Sequence, residues 1–305
     1  MDQASLADAG KRSLNPPMAA LRRKRPANER VAALFRSAPW TELPAETLGP
    51  SNAVPSMISD AERRLYLWLT ESWSTEQGAV VDLGAFAGGS TACLAEGLVR
   101  SGKLARVHAF DRFRADKKTK ETVLYPAGVP PFEGADLLPV AQDLLSPWSA
   151  NVTLVPGEIE DAVWRGGPIE IMVIDAAKTA RATDRIAEIF FPHLIPGHSI
   201  VVQQDFLHWK LPWLPAQMEW MSGSFTPLVA CPRDTVVFLC TSVPGPDALA
   251  KGRVRGRRDT ELADALAAAG VRFRGWGLDD YFAGQSRALG RNPRARRAKD
   301  FTTRP

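Results

Sequence analysis

The chain passes from an apolar strand into a helix through a glycine-rich turn, Val81-Asp-Leu-Gly-Ala-Phe-Ala-Gly-Gly-Ser-Thr91. Gly84 and Gly88 allow the backbone of this turn to approach a ligand without obstruction by a side chain. The helix opens at Gly89 and Ser90, where its N–H groups and dipole favour a negatively charged group. The pattern therefore predicts a ligand site at the carboxyl end of the strand.

The spacing of the glycines narrows the kind of ligand. A dinucleotide-binding turn has the order Gly-x-Gly-x-x-Gly, whereas here Phe86 stands at the middle position, where a pyrophosphate needs glycine. Asp82 precedes the turn, and its carboxylate repels phosphate but suits an ammonium or sulfonium ion. A ligand with a carboxylate at one end and a cation nearby fits both features, and S-adenosylmethionine is such a ligand.

Short apolar strands alternate with helices through the middle of the chain. Strands are predicted at residues 79–84, 107–110, 151–155, 169–174 and 198–202. Helices are predicted at residues 59–73, 92–99, 179–191 and 259–269. This alternation predicts a parallel sheet covered on both faces. Two later runs, 224–230 and 235–240, are separated by a short turn and predict a hairpin, so the last strand is expected to be antiparallel.

Residues 57–242 resemble the class I S-adenosylmethionine-dependent methyltransferases, in particular the catechol, caffeoyl-CoA and macrocin-type O-methyltransferases. The resemblance rests on the form Asp-x-Gly-x-x-x-Gly-x-Ser in the glycine turn and on the order of the later motifs. It implies an α/β fold with a Rossmann-like sheet of seven strands, the last one antiparallel, and helices on both faces. It implies that S-adenosylmethionine is bound by Asp82, Gly84, Ala85, Phe86, Gly88, Gly89, Ser90, Asp111, Arg112, Ile159 and Glu160.

The resemblance also implies an acceptor site after the fourth strand. Asp175 matches an aspartate that binds Mg²⁺ in the metal-dependent members, and Lys178 matches their general base. An acceptor hydroxyl needs such help because it is a poor nucleophile while protonated. His208 is an alternative base, with a pKa suited to neutral pH. These residues predict O-methylation of a small-molecule or sugar hydroxyl.

The end of the fifth strand departs from the family pattern, because it reads Gln203-Gln204-Asp205. Aligned without a gap, the two remaining metal-ligand positions are both glutamine; shifted by one residue, they are Gln204 and Asp205. Mg²⁺ accepts amide oxygens but prefers carboxylates. Asp175, Gln204 and Asp205 are therefore the candidate Mg²⁺ ligands, and catalysis without a metal is the open alternative.

The composition excludes several other classes of protein. With 305 residues, 45% hydrophobic and 24% charged, the chain has the profile of a soluble globular protein. No apolar run reaches the roughly 18 residues of a membrane span, and the first residues do not have the order of a secretory leader. Three cysteines without C-x-x-C spacing predict neither a disulfide scaffold nor a zinc site and suit the cytoplasm. The expected partner is a small-molecule acceptor, and a homo-oligomer is left open.

Charge is unevenly distributed along the chain. Residues 1–30 carry a net charge of +4 and residues 251–305 a net charge of +8, whereas residues 31–250 carry −8. An acidic body is a poor binder of the phosphate backbone, so nucleic acid is not the expected partner. Two alternatives remain: an NAD(P)-dependent oxidoreductase with the same sheet, and a non-enzymatic nucleic-acid-binding or assembly factor that uses the basic ends.

These patterns divide the chain into four parts. Residues 1–28 are expected to be a disordered basic segment, and residues 29–56 a helical extension or linker. Residues 57–245 are the expected methyltransferase domain, with a Lys-, Pro- and Gly-rich insert at 112–135. The insert is interpreted as a mobile lid with little apolar area to bury. Residues 246–305 form a basic C-terminal extension, which is expected to end in a mobile tail.

Overall fold

The computed structural model describes residues 19–305 except residue 233, with side chains from residue 28 onward. The helices are α1 (Ala19–Arg36), α2 (Asp60–Trp68), α3 (Gly89–Arg100), α4 (Lys117–Thr119), α5 (Leu138–Leu144), α6 (Ala180–Phe190), α7 (Trp213–Trp220), α8 (Pro246–Gly252), α9 (Asp259–Arg272) and α10 (Asp279–Arg291). The strands are β1 (Ala79–Leu83), β2 (Val107–Asp111), β3 (Val152–Pro156), β4 (Ile169–Ile174), β5 (Ile200–Gln203), β6 (Phe225–Cys231) and β7 (Thr235–Cys240). Residues 19–28, the end of the segment expected to be disordered, lie in α1, while residues 1–18 lie outside the described residues, so the expected disorder stays a prediction.

The seven strands form one sheet in the order β3-β2-β1-β4-β5-β7-β6. Strands β1 to β5 pair in parallel. Strand β7 runs antiparallel to both of its neighbours, β5 and β6. The predicted fold class, a Rossmann-like methyltransferase sheet with an antiparallel last strand, is therefore confirmed.

The sheet is covered on both faces, which explains the continuous apolar runs of its central strands. Val80 points into a core formed with α2 and α3, whereas Val81 points into a second core formed with α6, α7, α9 and α10. From β1 the chain adds β2 and β3 on one side and β4 and β5 on the other. This reversal between β1 and β4 opens a crevice at the carboxyl ends of the strands, where sheets of this kind bind ligands.

The insert at residues 112–135 is a folded lobe, and the expectation that it has little apolar area to bury is wrong. Phe113 and Leu124 are at most 1% exposed and belong to an apolar cluster that the insert shares with the glycine turn. Lys120 is buried as well, because its ammonium donates to the carbonyl of Phe132 at 3.0 Å and lies 4.1 Å from the centre of that ring. The apolar residues lie between lysines without a regular period, so the sequence pattern did not reveal them. Whether the lobe moves on ligand binding stays a prediction.

The C-terminal extension is also folded, contrary to the expected mobile tail. Helices α9 and α10 share one core with α6 and α7, and Phe301 is 1% exposed. Its basic residues are partly neutralised locally: Arg296 lies 2.8 Å from Asp259, and Arg257 lies 3.1 Å from Glu261. A basic composition alone therefore did not distinguish a solvated tail from a packed one.

The extension reaches the two loops that follow β4 and β5. The N–H of Ala298 donates to the carbonyl of Lys178 at 2.9 Å. The fully buried side chain of Gln285 donates through its amide to the carbonyls of Phe206 and His208, at 2.9 and 3.1 Å. These contacts hold both loops at the same edge of the sheet.

Five helices, α4, α5, α7, α8 and α10, were not predicted. Helix α7 shows the reason, since Trp213, Leu214 and Met218 are buried on several sides of it and leave no amphipathic period. Within the residues that the structure describes, no helix is both long and apolar enough to cross a membrane.

Candidate active site

The turn after β1 depends on glycine at two positions of positive φ. Gly84 has φ 104° and Gly88 has φ 101°, a region that residues with a side chain rarely adopt. A Cβ atom on Gly84 would lie 3.0 Å from the backbone nitrogen of Ala176 and from the backbone carbonyl carbon of Asp175. The missing side chain thus lets the ends of β1 and β4 approach each other.

Asp82 holds the first turn of α3 in place. It is fully buried, and its Oδ2 accepts hydrogen bonds from Ser90 Oγ at 2.7 Å and Thr91 Oγ1 at 2.6 Å. Burial raises the pKa of Asp82 to about 6, against the opposing effect of these two hydrogen bonds. The hydroxyl of Ser90 is thus turned to Asp82 rather than to a ligand, and the expected contact of Asp82 with a cationic group of the ligand stays a prediction.

A cavity of about 330 Å³ opens at the carboxyl ends of β1, β2 and β4. Of the predicted site residues it brings together Gly84, Phe86, Asp111, Arg112, Ile159, Glu160, Asp175 and Lys178. A smaller cavity of about 20 Å³ adjoins it and adds Ala85, Gly89, Ser90 and Gln204. Asp82 and Gly88 line neither cavity; Gly88 instead packs under Leu145, which a Cβ atom would meet at 2.7 Å.

Asp111 ends β2 on the floor of the larger cavity. Its Oδ2 accepts from the N–H of Phe86 at 3.0 Å, and its Oδ1 accepts from the N–H of Phe113 at 2.6 Å. Each carboxylate oxygen can accept a second hydrogen bond. The fixed carboxylate is therefore suited to bind a pair of hydroxyl groups, such as those of a ribose.

Residues 55–58 cover the glycine turn, and the sequence analysis did not find them. Ser56 packs so closely on the start of α3 that a Cβ atom on Gly89 would lie 2.2 Å from its Cβ atom. Met57 lines both cavities. The larger cavity is also lined by residues that were not predicted from the sequence, among them Arg114, Thr179 and Ala182. No motif marks these residues, because their position depends on how distant segments pack.

Asp175, Lys178 and Asp205 come together at the ends of β4 and β5. Lys178 Nζ forms hydrogen-bonded ion pairs with Asp175 Oδ1 and with Asp205 Oδ2. Burial would lower the pKa of Lys178, but the two carboxylates outweigh it and raise this pKa well above its usual value. Burial also raises the pKa of Asp175 to about 6, although Lys178 opposes the shift. Lys178 is therefore held as a cation, which does not fit the general-base role expected for it.

The predicted Mg²⁺ ligands do not form a metal site of the expected kind. The ammonium of Lys178 already lies between the carboxylates of Asp175 and Asp205. Gln204 Oε1, the third candidate ligand, accepts a hydrogen bond from the hydroxyl of Tyr66 at 2.8 Å. Across the described part of the chain, no group of three or more histidine, cysteine or acidic side chains is arranged to hold a metal. Mg²⁺ needs several oxygen ligands around one point, so this donor set does not fit it.

Two further residues, one at the end of β5 and one in the loop after it, lie away from the cavities. His208, the alternative base, stacks on Trp209 with ring centres 6.1 Å apart, and its Nδ1 accepts from the N–H of Lys210 at 3.2 Å. It lines neither cavity, so the structure does not bring this candidate base to the site. Gln203 is 2% exposed and packs beside Met218. The sequence left open whether Gln203 and Gln204 or Gln204 and Asp205 face the site at the end of β5. Since Gln203 is buried, the pair at this edge of the sheet is Gln204 and Asp205.

Comparison with known proteins agrees with this geometry. Residues 81–205, somewhat less than half of the chain, match a family of methyltransferase domains. A search of curated proteins found no match to the chain.

Three solved structures are among those similar in fold. The SAH-bound methyltransferase PaMTH1 of Podospora anserina is 12% identical, with 76% of this chain and 100% of that one covered and a TM-score of 0.42. The cofactor-bound protein Rv0187 from MTB is 16% identical, with 65% and 89% covered and a TM-score of 0.43. The apo TDP-rhamnose 3'-O-methyltransferase CalS11 is 16% identical, with 74% and 96% covered and a TM-score of 0.42. Scores at this level identify no substrate.

The nicotinamide alternative is not favoured by these findings, because the turn lacks the glycine that a pyrophosphate requires and Phe86 occupies its position. The nucleic-acid alternative is not favoured either, since the basic C-terminal residues belong to a packed extension. The family match covers the glycine turn, β2, β4 and the end of β5. Residues 81–205 therefore match a methyltransferase domain, and the match includes the glycine turn, Asp111 and Asp175.

Proposed function

We propose that this chain methylates a hydroxyl oxygen of a small-molecule or sugar acceptor and that it does so without a divalent metal. The observation that supports this proposal is the position of the Asp175 carboxylate. It lies at the end of β4, where the larger and smaller cavities meet, and Lys178 holds it opposite Asp205.

The cofactor is proposed to lie along the ends of β1 and β2. S-adenosylmethionine supplies an electrophilic methyl group on a sulfonium sulfur. Asp111 is suited to accept hydrogen bonds from the ribose hydroxyls, and the N–H groups of Gly89 and Ser90 at the start of α3 are suited to the carboxylate of the methionine part. Ile159 and Glu160 line the far wall, where the adenine ring would pack.

On the acceptor side, Asp175 is proposed to accept a hydrogen bond from the hydroxyl and to orient it toward the methyl group. The oxygen forms its bond to the methyl carbon as the carbon–sulfur bond breaks, the electron pair of that bond stays on sulfur, and the hydroxyl proton passes to Asp175. Lys178 holds two carboxylates with one positive charge, so a negative charge remains to receive this proton. Placing the reacting atoms about 3–3.5 Å apart is the main contribution of such a site.

The test is a transfer assay with tritium-labelled S-adenosylmethionine and matched acceptors. Phenols and methyl glycosides are compared with the corresponding aromatic amines, thiols and amino sugars. The proposal predicts labelled product with oxygen acceptors only. Transfer to nitrogen or sulfur but not to oxygen would overturn it.

A further inference from the structure

The backbone around Lys178 is held by a segment near the end of the chain. The N–H of Ala298 donates to the carbonyl of Lys178 at 2.9 Å, and the N–H of Ala180 donates to the carbonyl of Arg296 at 2.9 Å. Between these two hydrogen bonds the two segments form an antiparallel bridge. Residues 178–180 are thus paired with the C-terminal extension in the way that two edge strands pair.

We call residues 293–301 of this extension the strap, and it is anchored on the C-terminal helices. The carboxamide oxygen of Asn292, just after α10, accepts from the first two N–H groups that follow the strap, both at 3.0 Å. Inside the strap, Arg296 lies 2.8 Å from Asp259 at the start of α9. The strap is therefore a closed loop on a packed support, and it can hold residues 178–180 in one position.

The strap also supports the residue before Lys178. The indole N–H of Trp213 donates to the carbonyl of Ala177 at 3.1 Å. The ring of Phe301, in the strap, packs edge-on against the ring of Trp213 with centres 6.0 Å apart, and both rings are buried. Two successive carbonyls between β4 and α6 thus have a donor, one from the strap itself and one from a ring that packs on it.

Lys178 needs such support because its side chain is long and flexible. The side chain is 46% exposed, and an exposed ion pair is weak when long side chains must be ordered to form it. Its ammonium nevertheless lies between Asp175 and Asp205. Fixing the backbone at residue 178 removes part of the freedom that the ammonium would otherwise lose on binding the two carboxylates.

We propose that Ala298 is a positioning residue for methyl transfer: its N–H fixes the backbone of Lys178 and, through it, the ammonium that holds Asp175 toward the acceptor. This inference rests on the role proposed for Asp175 in the transfer step. It gives a part in the reaction to the C-terminal extension, which lies outside the residues that match methyltransferase domains. The extension acts on the acceptor side, since none of residues 246–305, all of which the structure describes, lines either cavity.

The experiment removes this one N–H group by the substitution Ala298→Pro. Arg297 before it is extended, with φ −134° and ψ 140°, which is the conformation that a residue before proline adopts. Ala298 is the first residue of a short 3-10 helix, and proline is common at the first position of a helix. The substitution therefore deletes a hydrogen bond without requiring a new backbone conformation. Ala298→Ser is the matched conservative variant, since it keeps the N–H.

The variants are compared in the transfer assay with tritium-labelled S-adenosylmethionine. In Ala298→Pro, kcat should fall about tenfold, because a small displacement of a group at the reacting centre slows the transfer step. The KM of the acceptor should change little. The Kd for S-adenosylmethionine, measured by calorimetry, should equal that of the parent, which also shows that the fold is intact. Ala298→Ser should keep the parental kcat.

A double substitution shows whether the effect passes through the lysine. Lys178→Met removes the ammonium that the strap is proposed to position. Adding Ala298→Pro to Lys178→Met should therefore cause no further fall in kcat. A substitution that acted only by loosening the fold would lower kcat by the same factor in both backgrounds.

The inference would be overturned by a parental kcat or a weakened cofactor affinity in Ala298→Pro, by an equal fall of kcat in Ala298→Ser, or by an equal fall in the Lys178→Met background. The acceptor is whichever compound the parent methylates. Transfer to nitrogen or sulfur alone would overturn the proposed O-methylation and still allow this test, so the two failures are distinguishable. A parent that binds S-adenosylmethionine but methylates no acceptor would overturn both proposals.

Discussion

The two sides of the site are built in different ways. On the cofactor side the contacts are local: Asp82 binds residues eight and nine positions later, and Asp111 binds the N–H of Phe86. On the acceptor side they are distant, since Tyr66 reaches Gln204, 138 positions away, and Gln285 reaches Phe206, 79 positions away. Most of the cofactor side is thus encoded between residues 82 and 111, whereas the acceptor side depends on contacts between distant parts of the folded chain.

The strongest test of this difference is the substitution Gly84→Val. A valine at φ 104° is strained, and its Cβ atom would press on the backbone of residues 175 and 176. We expect binding of S-adenosylmethionine to be lost in calorimetric titration. The matched control is Gly290→Ala, because a Cβ atom there meets nothing within 4 Å. Normal binding by Gly84→Val would refute the placement of the cofactor at this turn.

A smaller effect on the same side is expected from Asp111→Ala. This change removes the carboxylate that is proposed to accept hydrogen bonds from the ribose hydroxyls. Each such bond to a charged group is worth about 1.5–3 kcal/mol, so the Kd for S-adenosylmethionine should rise at least tenfold. Asp264→Ala, which removes an exposed aspartate from α9, should leave the Kd unchanged. Equal affinities of the two variants would show that Asp111 does not contact the cofactor.

On the acceptor side, Gln285→Ala should separate the two halves of the site. It leaves the carbonyls of Phe206 and His208 without their donor, which loosens the loop that carries Asp205. We expect methyl transfer to slow severalfold and amide hydrogen exchange in residues 204–209 to quicken, while the Kd for S-adenosylmethionine stays the same. The conservative change Gln285→Glu keeps the size but not the donor and should behave like alanine. A changed cofactor affinity would mean that the two sides are not independent.

The smallest effect on function is expected at Glu170, far from both sides of the crevice. Burial would raise its pKa, but hydrogen bonds from His198, Thr75 and Ser74 outweigh it and lower the pKa to about 2. Because the folded protein favours ionised Glu170, this residue contributes stability above pH 4.5, its pKa in the unfolded chain. That stability is lost as the pH falls from about 4.5 toward 2.

The corresponding measurement is urea unfolding of the parent and Glu170→Gln at neutral and acidic pH. The free energy of unfolding of the variant should be about 3 kcal/mol lower than that of the parent at neutral pH. This difference between the two proteins should shrink below about pH 4.5. Its Kd for S-adenosylmethionine, measured at neutral pH, should match that of the parent. If the difference in unfolding free energy between parent and variant did not depend on pH, the ionised carboxylate would not be its cause.

The same contrast explains what could be predicted from the sequence. The alternation of strands and helices, the reversed last strand and the turn at Gly84 follow from periodicity and from contiguous motifs, and the structure agrees with them. The roles expected for Lys178 and His208 do not fit the structure, because each depends on partners that no spacing reveals. The partner of the lysine is Asp205. The partners of the histidine are Trp209 and the turn at Lys210. The packed C-terminal extension was missed because burial of Phe301 and Gln285 is a property of the assembled core.

In the proposed reaction Asp175, held by Lys178 rather than by a metal, prepares the acceptor oxygen. The most direct measurement is the initial rate of methyl transfer to the best oxygen acceptor, for the parent and for Asp175→Asn, in EDTA and then with excess Mg²⁺. We expect the parent to keep most of its rate in EDTA and Asp175→Asn to lose at least about a hundredfold in either condition. Complete loss of the parent rate in EDTA with recovery in Mg²⁺, or full activity of Asp175→Asn, would contradict it.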